Sequence, residues 1–331
     1  MLPFLARRAL YMVLFLFALS LVGFLIIELP PGTYLDVHIA RLRNTGVRVD
    51  QAEVDRLMHL YNLDSPIVVR YFKWIGKFLG GDMGISFQHN RAVIDLIAER
   101  LPATLLLSSV TMLFIYAVSI PVGIVSATRQ YSLTDYLFTL TGFFGLATPN
   151  FLLALVLMWL FLKGFGVSLT GLFSADYVAA PWSLGRVWDL LKHLPIPIVV
   201  IGTAGTAELI RIVRASLLDE LRRQYVVTAR AKGMQESRLL FKYPVRVALN
   251  PVISSAAWIL PGIFSGETVT AIVLSLPTTG QIFFSALLTQ DMSLAGSVVV
   301  IIGALTVVGT LISDLVLAGV DPRIRMERSN R

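Results

Sequence analysis

The sequence predicts an all-α, polytopic membrane protein with six transmembrane helices, and three observations lead there. Hydrophobic residues fill 56% of the 331 positions, and mean hydropathy is +0.74. Charged residues make up only 15%, against about a quarter in a soluble domain. Several apolar runs reach the roughly 20 residues that carry a helix across a bilayer. A β-barrel would alternate apolar and polar positions over about ten residues per strand, whereas these runs are solidly apolar. The absence of cysteine removes disulfides and thiol chemistry. A net charge of +7 would point a soluble chain toward nucleic acid. In a membrane chain it reads instead as basic loops on the cytoplasmic side, with the lipid bilayer as partner and no nucleic acid.

The first span covers residues 9–27, after Arg7 and Arg8. It lacks the short apolar core and small-residue cleavage site of a signal peptide, so residues 1–28 form an uncleaved helix with a cytoplasmic N-terminus. Residues 29–100 are mixed and polar, too long for a turn. They are expected to form an external insert with amphipathic helices at 54–63 and 68–79. A second span occupies 101–127, with Pro102 at its tolerant start and Pro121 kinking its interior. The third, 136–162, is interrupted by Gly145-Leu-Ala-Thr-Pro-Asn150. Such a break survives in a membrane only where protein or a watery cavity satisfies the freed backbone groups, so it marks either a pathway-lining helix or a packing kink.

Residues 163–194 read as an outer loop with interfacial anchors Tyr177, Trp182 and Trp188. The fourth span, 194–218, carries Glu208 and Arg211 at a spacing that pairs them on one face. Arg211 and Arg214 are expected to snorkel to the headgroups. The fifth span covers 248–276, opened by Asn250-Pro251, and the sixth 294–317. Basic residues concentrate at Arg7, Arg8 and Arg129, between Arg211 and Arg246, and from Arg323 onward. By the positive-inside rule both termini are cytoplasmic.

No catalytic constellation appears, and there is no G-x-x-x-x-G-K-[ST] phosphate loop, so the chain is expected to be no enzyme and to bind no cofactor itself. His38, His59, His89 and His193 show no metal-ligand spacing and read as solvated. Glu267 is an intramembrane carboxylate, which makes it a functional candidate. With Trp258, Thr268, Pro149 and Asn150 it is a candidate to line a translocation path. The alternative is a Glu held structurally by a neighbouring helix or subunit.

Between the fourth and fifth spans lies a basic, helix-compatible segment, Tyr225-Val-Val-Thr-Ala-Arg-Ala-Lys-Gly233, followed by a second short helix at 236–243. Ala229 and Ala231 are expected to allow close approach, and Gly233 to end the first helix in a conformation other residues resist. A solvated loop on anionic lipid is the plain alternative. This segment resembles the coupling loop of ABC importer permeases. Tyr61-Asn-Leu-Asp-Ser-Pro66, Tyr71-Phe-Lys-Trp74, Gly81-Asp-Met-Gly-Ile-Ser-Phe87, Leu276-Pro-Thr-Thr-Gly280, Gln290-Asp291 and Asp321-Pro-Arg extend the likeness over nearly the whole chain. They resemble the first permease of oligopeptide/dipeptide-type importers.

That resemblance implies a type I importer permease in a bacterial or archaeal inner membrane, with a five-helix core at 101–331 and a coupling loop at 219–247. It implies a second homologous permease as heterodimer partner, two ABC ATPase subunits carrying ATP-Mg, and an extracytoplasmic solute-binding protein. Tyr225, Thr228, Ala229, Ala231, Lys232 and Gly233 become the ATPase-coupling residues. One departure stands out. Family members usually read Glu-Thr-Val-Phe-Ser-Ile-Pro-Gly-Leu-Gly where this chain reads Ala271-Ile-Val-Leu-Ser-Leu-Pro-Thr-Thr-Gly280, and Glu267 lies four residues earlier on the same helical face. A peptide is the expected solute, with an oligosaccharide or opine-like solute as runner-up. A self-sufficient channel or secondary transporter is the remote alternative.

Overall fold

The computed structural model describes residues 2–28, 39, 65–166 and 170–320. The expected helix at 54–63, His38, His59 and the Asp321-Pro-Arg tail lie outside the described residues. Everything described is helix or connection, apart from one isolated β-bridge between Ile85 and Ala92. In chain order the helices are α1 (Leu2–Glu28), α2 (Ile67–Leu79), α3 (Val93–Thr128), α4 (Leu133–Ala147), α5 (Asn150–Phe165), α6 (Leu184–His193), α7 (Pro195–Leu221), α8 (Gln224–Ala231), α9 (Glu236–Lys242), α10 (Pro244–Ser254), α11 (Ala256–Val273), α12 (Thr279–Leu288) and α13 (Met292–Val320). Four helices, α1, α3, α7 and α13, are each long and apolar enough to cross a membrane. Two bent pairs raise that to six if each pair is one crossing.

The bends fall where the sequence breaks. Between α4 and α5 the chain turns by 106° at Thr148 and Pro149. Proline disfavours helix in the residue before it and cannot continue the hydrogen-bond ladder. The fifth span differs from its expected start: a helix already begins at Pro244, so Pro251 lies inside α10, and a 48° bend separates the pair that ends in α11. Two helices are absent from the sequence reading, and the first, α6, lies in the stretch expected as an outer loop. Residues 279–288 form α12, apolar but too short to span.

The chain divides into two compact units. The first holds residues 1–104 and 278–307. Here α2 docks on α1: the Tyr71 ring meets Phe24 edge-on at 5.3 Å, and its hydroxyl lies 2.9 Å from Ser20 Oγ. Val93, Leu96, Ile97, Ile282, Ala286, Leu294, Ala295 and Val298 form its core. Asp291 clasps the Gly81–Phe87 motif. Its carboxylate accepts from Ser86 Oγ (2.6 Å), Gln88 N (3.1 Å) and Leu294 N (3.2 Å). Burial pushes the Asp291 carboxyl above its ordinary value, and these donors pull back against that. Two short motifs some 200 positions apart in sequence thus meet in one hydrogen-bonded knot, with Gln88 Oε1 also accepting from Ser285 and Thr289.

The second unit holds residues 105–277 and 308–331, and α7 is its axis. Helices α4, α5, α10 and α11 all pack on α7. Small residues let α3 close in on α7 as well: a Cβ on Gly123 would fall 2.6 Å from Val213, and one on Gly202 would fall 2.9 Å from Phe114. Without water between membrane helices, such van der Waals fit replaces the hydrophobic drive. Long lipid-compatible faces remain exposed on α1 and on the α4–α5 pair, including Leu14, Phe17, Phe143, Phe144 and Leu155.

Candidate coupling hairpin and buried polar interior

The segment after α7 folds as a helical hairpin. Helix α8 ends at Gly233, which has φ +76°, the left-handed region where glycine is preferred. Gly233 N donates to Arg230 O (3.0 Å) and Met234 N to Ala229 O (3.3 Å), the paired bonds of a Schellman cap. The expected glycine stop is therefore present. Helix α9 then packs back, and Val226, Ala229 and Leu239 form a small core of their own, with Met234 and Tyr243 beside it. This changes the part played by Ala229. Expected at an intermolecular contact, it is buried inside the hairpin. Tyr225, Thr228, Ala231, Lys232 and Gly233 are exposed, as are Val227 and Phe241, which the sequence reading did not single out.

Two polar contacts shape the hairpin's entry and clasp. The Tyr225 hydroxyl donates to the Glu220 carboxylate. Partial burial, then this bond, push the phenol up to about 12. Arg230 Nη2 donates to Glu236 Oε2 at 3.1 Å across the turn, and that bond holds the Glu236 carboxyl below its ordinary value.

Inside the bundle, polar groups gather along α3. Ser108, Thr111, Ser119 and Ser126 are all buried. Ser108 Oγ lies 3.5 Å from Glu267 Oε2 on α11, and Ser119 Oγ donates to Thr206 O of α7 at 3.0 Å. Tyr116 OH donates to Val252 O of α10 at 3.2 Å. Glu267 is thus buried, as its place in a span requires. Of the other path candidates, Trp258 is exposed, Thr268 Oγ1 donates to Phe264 O on its own helix, and Pro149 and Asn150 sit at the α4–α5 break.

Three further expectations give way. Arg214 does not snorkel: Nε and Nη2 donate to the two oxygens of Asp135 at 3.0 and 2.9 Å. Ser126 Oγ and Tyr131 N donate to the same buried carboxylate, so Asp135 ties α3, α4 and α7 together. Glu208 and Arg211 form no ion pair with each other among the described residues; on α7 it is Arg214 that is paired. His193 is buried rather than solvated, its Nδ1 donating to Asp189 O at 2.8 Å. The helix-to-helix reach of Asp135 had one sequence signal: an acid beside Ser132 at a helix start, with an unmatched arginine elsewhere.

Fold and site define a multi-pass helical membrane component with a short helical hairpin between two spans. Comparison with known proteins agrees. Residues 119–326 match the binding-protein-dependent transport system inner membrane component family, and residues 1–108 match the N-terminal region of such membrane components. The chain belongs to that family, as a membrane permease subunit of an ABC transporter. The oligopeptide transport system permease protein AppB of Bacillus subtilis (strain 168) is 35% identical over 98% of this chain and 99% of its own length. OppB of Salmonella typhimurium, likewise an oligopeptide transport system permease protein, is 31% identical over 98% and 100%. The dipeptide transport system permease protein DppB of Alkalihalophilus pseudofirmus is 29% identical over 98% and 100%.

Proposed function

We propose that this chain forms half of the translocation pathway of an ATP-driven peptide importer. Its partners are a second homologous permease, two ABC ATPases that bind ATP-Mg, and an extracytoplasmic solute-binding protein. It crosses the inner membrane six times with both termini cytoplasmic, and residues 29–100 form an external insert ahead of the core at 101–331. The observation that carries this reading is the α8–α9 hairpin. It is a helical element with its own core, a Schellman-capped turn, and a remaining surface left exposed at Tyr225, Thr228, Ala231, Lys232 and Gly233. A permease that lacks a phosphate loop needs such an element to receive force from a separate ATPase, whose closure turns the bundle between inward- and outward-facing states. The peptide assignment draws on the names of relatives that align over almost the full chain. Glu267, buried beside Ser108 in the bundle interior, is the polar group we assign to the solute path.

Affinity purification of the tagged chain from its native membrane tests the assembly. Two ATPase chains and a sister permease are expected in the same fraction, with ATP hydrolysis stimulated by peptide-loaded binding protein. A transport-competent chain recovered alone overturns the proposal. A complete complex stimulated by a sugar-loaded binding protein, and by no peptide-loaded one, overturns the substrate.

A further inference from the structure

Helix α2 is not used by the coupling or pathway assignments, yet it has two faces of opposite character. One face is spent on α1 and α13. Tyr71 is buried against Phe24 and bonded to Ser20, and Trp74 stands 6.1 Å from Phe24. The Trp74 ring lies where a Cβ on Gly296 would come within 2.8 Å. The other face carries Val68, Val69, Phe72 and Leu79, all exposed, with Lys73 and Lys77 among them. The helix sequence, Ile-Val-Val-Arg-Tyr-Phe-Lys-Trp-Ile-Gly-Lys-Phe-Leu, contains no acid.

The depth of α2 is set by what it touches. Ser20 and Phe24 belong to the apolar span of α1. At 1.5 Å per residue they lie about 12 and about 6 Å from its end at Glu28. That end is the one opposite Arg7 and Arg8. There Glu28 is ion-paired with Arg70 of α2, a charge pair suited to headgroup level. Gly296 is likewise within the first turns of α13. Two spans therefore place α2 at the boundary between hydrocarbon and headgroups. At that depth a bulky apolar face such as Phe72 and Val68, each 61% exposed, meets acyl chains. Lys77, exposed on the same helix, extends to the phosphates above.

We propose that α2 is an in-plane membrane helix that binds anionic phospholipid in the leaflet opposite Arg7 and Arg8, through Phe72 and its apolar neighbours and through Lys77. The lipid contact does not depend on the peptide-importer reading. Charge complementarity selects the lipid, since a basic, acid-free helix at headgroup depth gains from anionic phosphate.

The chain contains no cysteine, so Phe72→Cys introduces its single thiol at an exposed position. The complex as purified is labelled there with a nitroxide and reconstituted in vesicles of phosphatidylcholine with phosphatidylglycerol; the cysteine-free chain in the same complex gives the background from partner chains. Oxygen is expected to relax the label far more than a water-soluble nickel chelate does. Relaxation dominated by the chelate, or by neither because protein covers the site, overturns the lipid contact. A fluorophore at the same thiol then tests lipid choice with brominated lipids. Brominated phosphatidylglycerol is expected to quench it several-fold more than brominated phosphatidylcholine, with about a fivefold preference per lysine as the upper figure. Lys77→Gln is expected to erase that preference and leave the oxygen accessibility unchanged. Equal quenching before the lysine is changed, or a preference that survives the change, overturns the anionic selectivity.

Discussion

The α8–α9 hairpin and the bundle interior around α7 use polar residues in opposite ways. In the hairpin, Arg230 and Glu236 meet in full solvent, and only Val226, Ala229 and Leu239 are packed away. In the interior, Arg214 and Asp135 make a similar two-pronged pair, but Asp135 is buried and joins three helices. Water weakens the first pair almost to nothing, while removing one member of the second strands a charge in a low-dielectric bundle. The exposed surface of the hairpin can therefore change with little effect on the fold. In the interior, removing one member of the Arg214–Asp135 pair tests the fold itself.

Substitutions can break or sharpen this contrast. The largest effect is expected from Gly233→Arg, which should take substrate-stimulated ATP hydrolysis down to its unstimulated level while membrane insertion remains normal. Nothing lies within 4 Å of a Cβ at Gly233, so the change acts through a left-handed backbone cost of about 1–2 kcal/mol and through the partner's surface. Ala231→Arg separates the two causes, because Ala231 is exposed and helical. It should reproduce the loss of stimulation without the backbone cost, and full stimulation in both variants would sink the coupling assignment.

Next comes Asp135→Ala, expected to destabilise the bundle by about 3 kcal/mol by leaving Arg214 uncompensated. Thermal melting of the purified complex reads it, and adding Arg214→Leu should restore part of the loss. A melting point unmoved by Asp135→Ala would mean the interior pair is no more valuable than the exposed one.

Glu267→Gln keeps the side chain's size and removes its charge. Transport rate is expected to change while the melting point stays near that of the parent. Unchanged transport kinetics would return Glu267 to a structural role.

The smallest effect is a pH response of the hairpin clasp. The Glu236 carboxyl titrates below its ordinary 4.5 because of Arg230. A depressed pKa stabilises the fold above the unfolded value, and that contribution disappears as pH falls through the folded value. Protection of the Gly233 and Met234 amides, taken as exchange relative to the intrinsic rate at each pH, should therefore fall slightly on acidification below about 4.5, and Glu236→Gln should remove the dependence. Protection that stays constant with pH in the parent would show the clasp contributes nothing.

Much of this was legible in the chain itself. Apolar runs of sufficient length require helices in a bilayer, because backbone groups there have no water to bond. That reasoning located α7 and α13 to within a few residues and the ends of α1 and α3 as closely, though both of these helices begin well before the expected spans; Gly233 marked the end of α8 because few residues tolerate its φ. Helix α12 escaped notice for the converse reason. It ends at Gln290, with φ +53°, in the same paired-bond cap that Gly233 makes, and no glycine announces the stop.

What the sequence determined alone is whatever depends on local chemistry: the all-helical membrane class, the breaks at Pro149 and Gly233, the basic hairpin, and a likeness to importer permeases that alignment over nearly the whole chain bears out. Only the tertiary structure decided which distant polar groups meet. Asp135 found Arg214, Asp291 found Ser86, and Ala229 turned inward to Leu239. A buried charge or donor must find a partner, but one-dimensional spacing does not say which of several candidates lies across the helix interface. Packing chooses, through small residues such as Gly123 and Gly202 that set how closely helices approach, and so which side chains come within hydrogen-bonding reach.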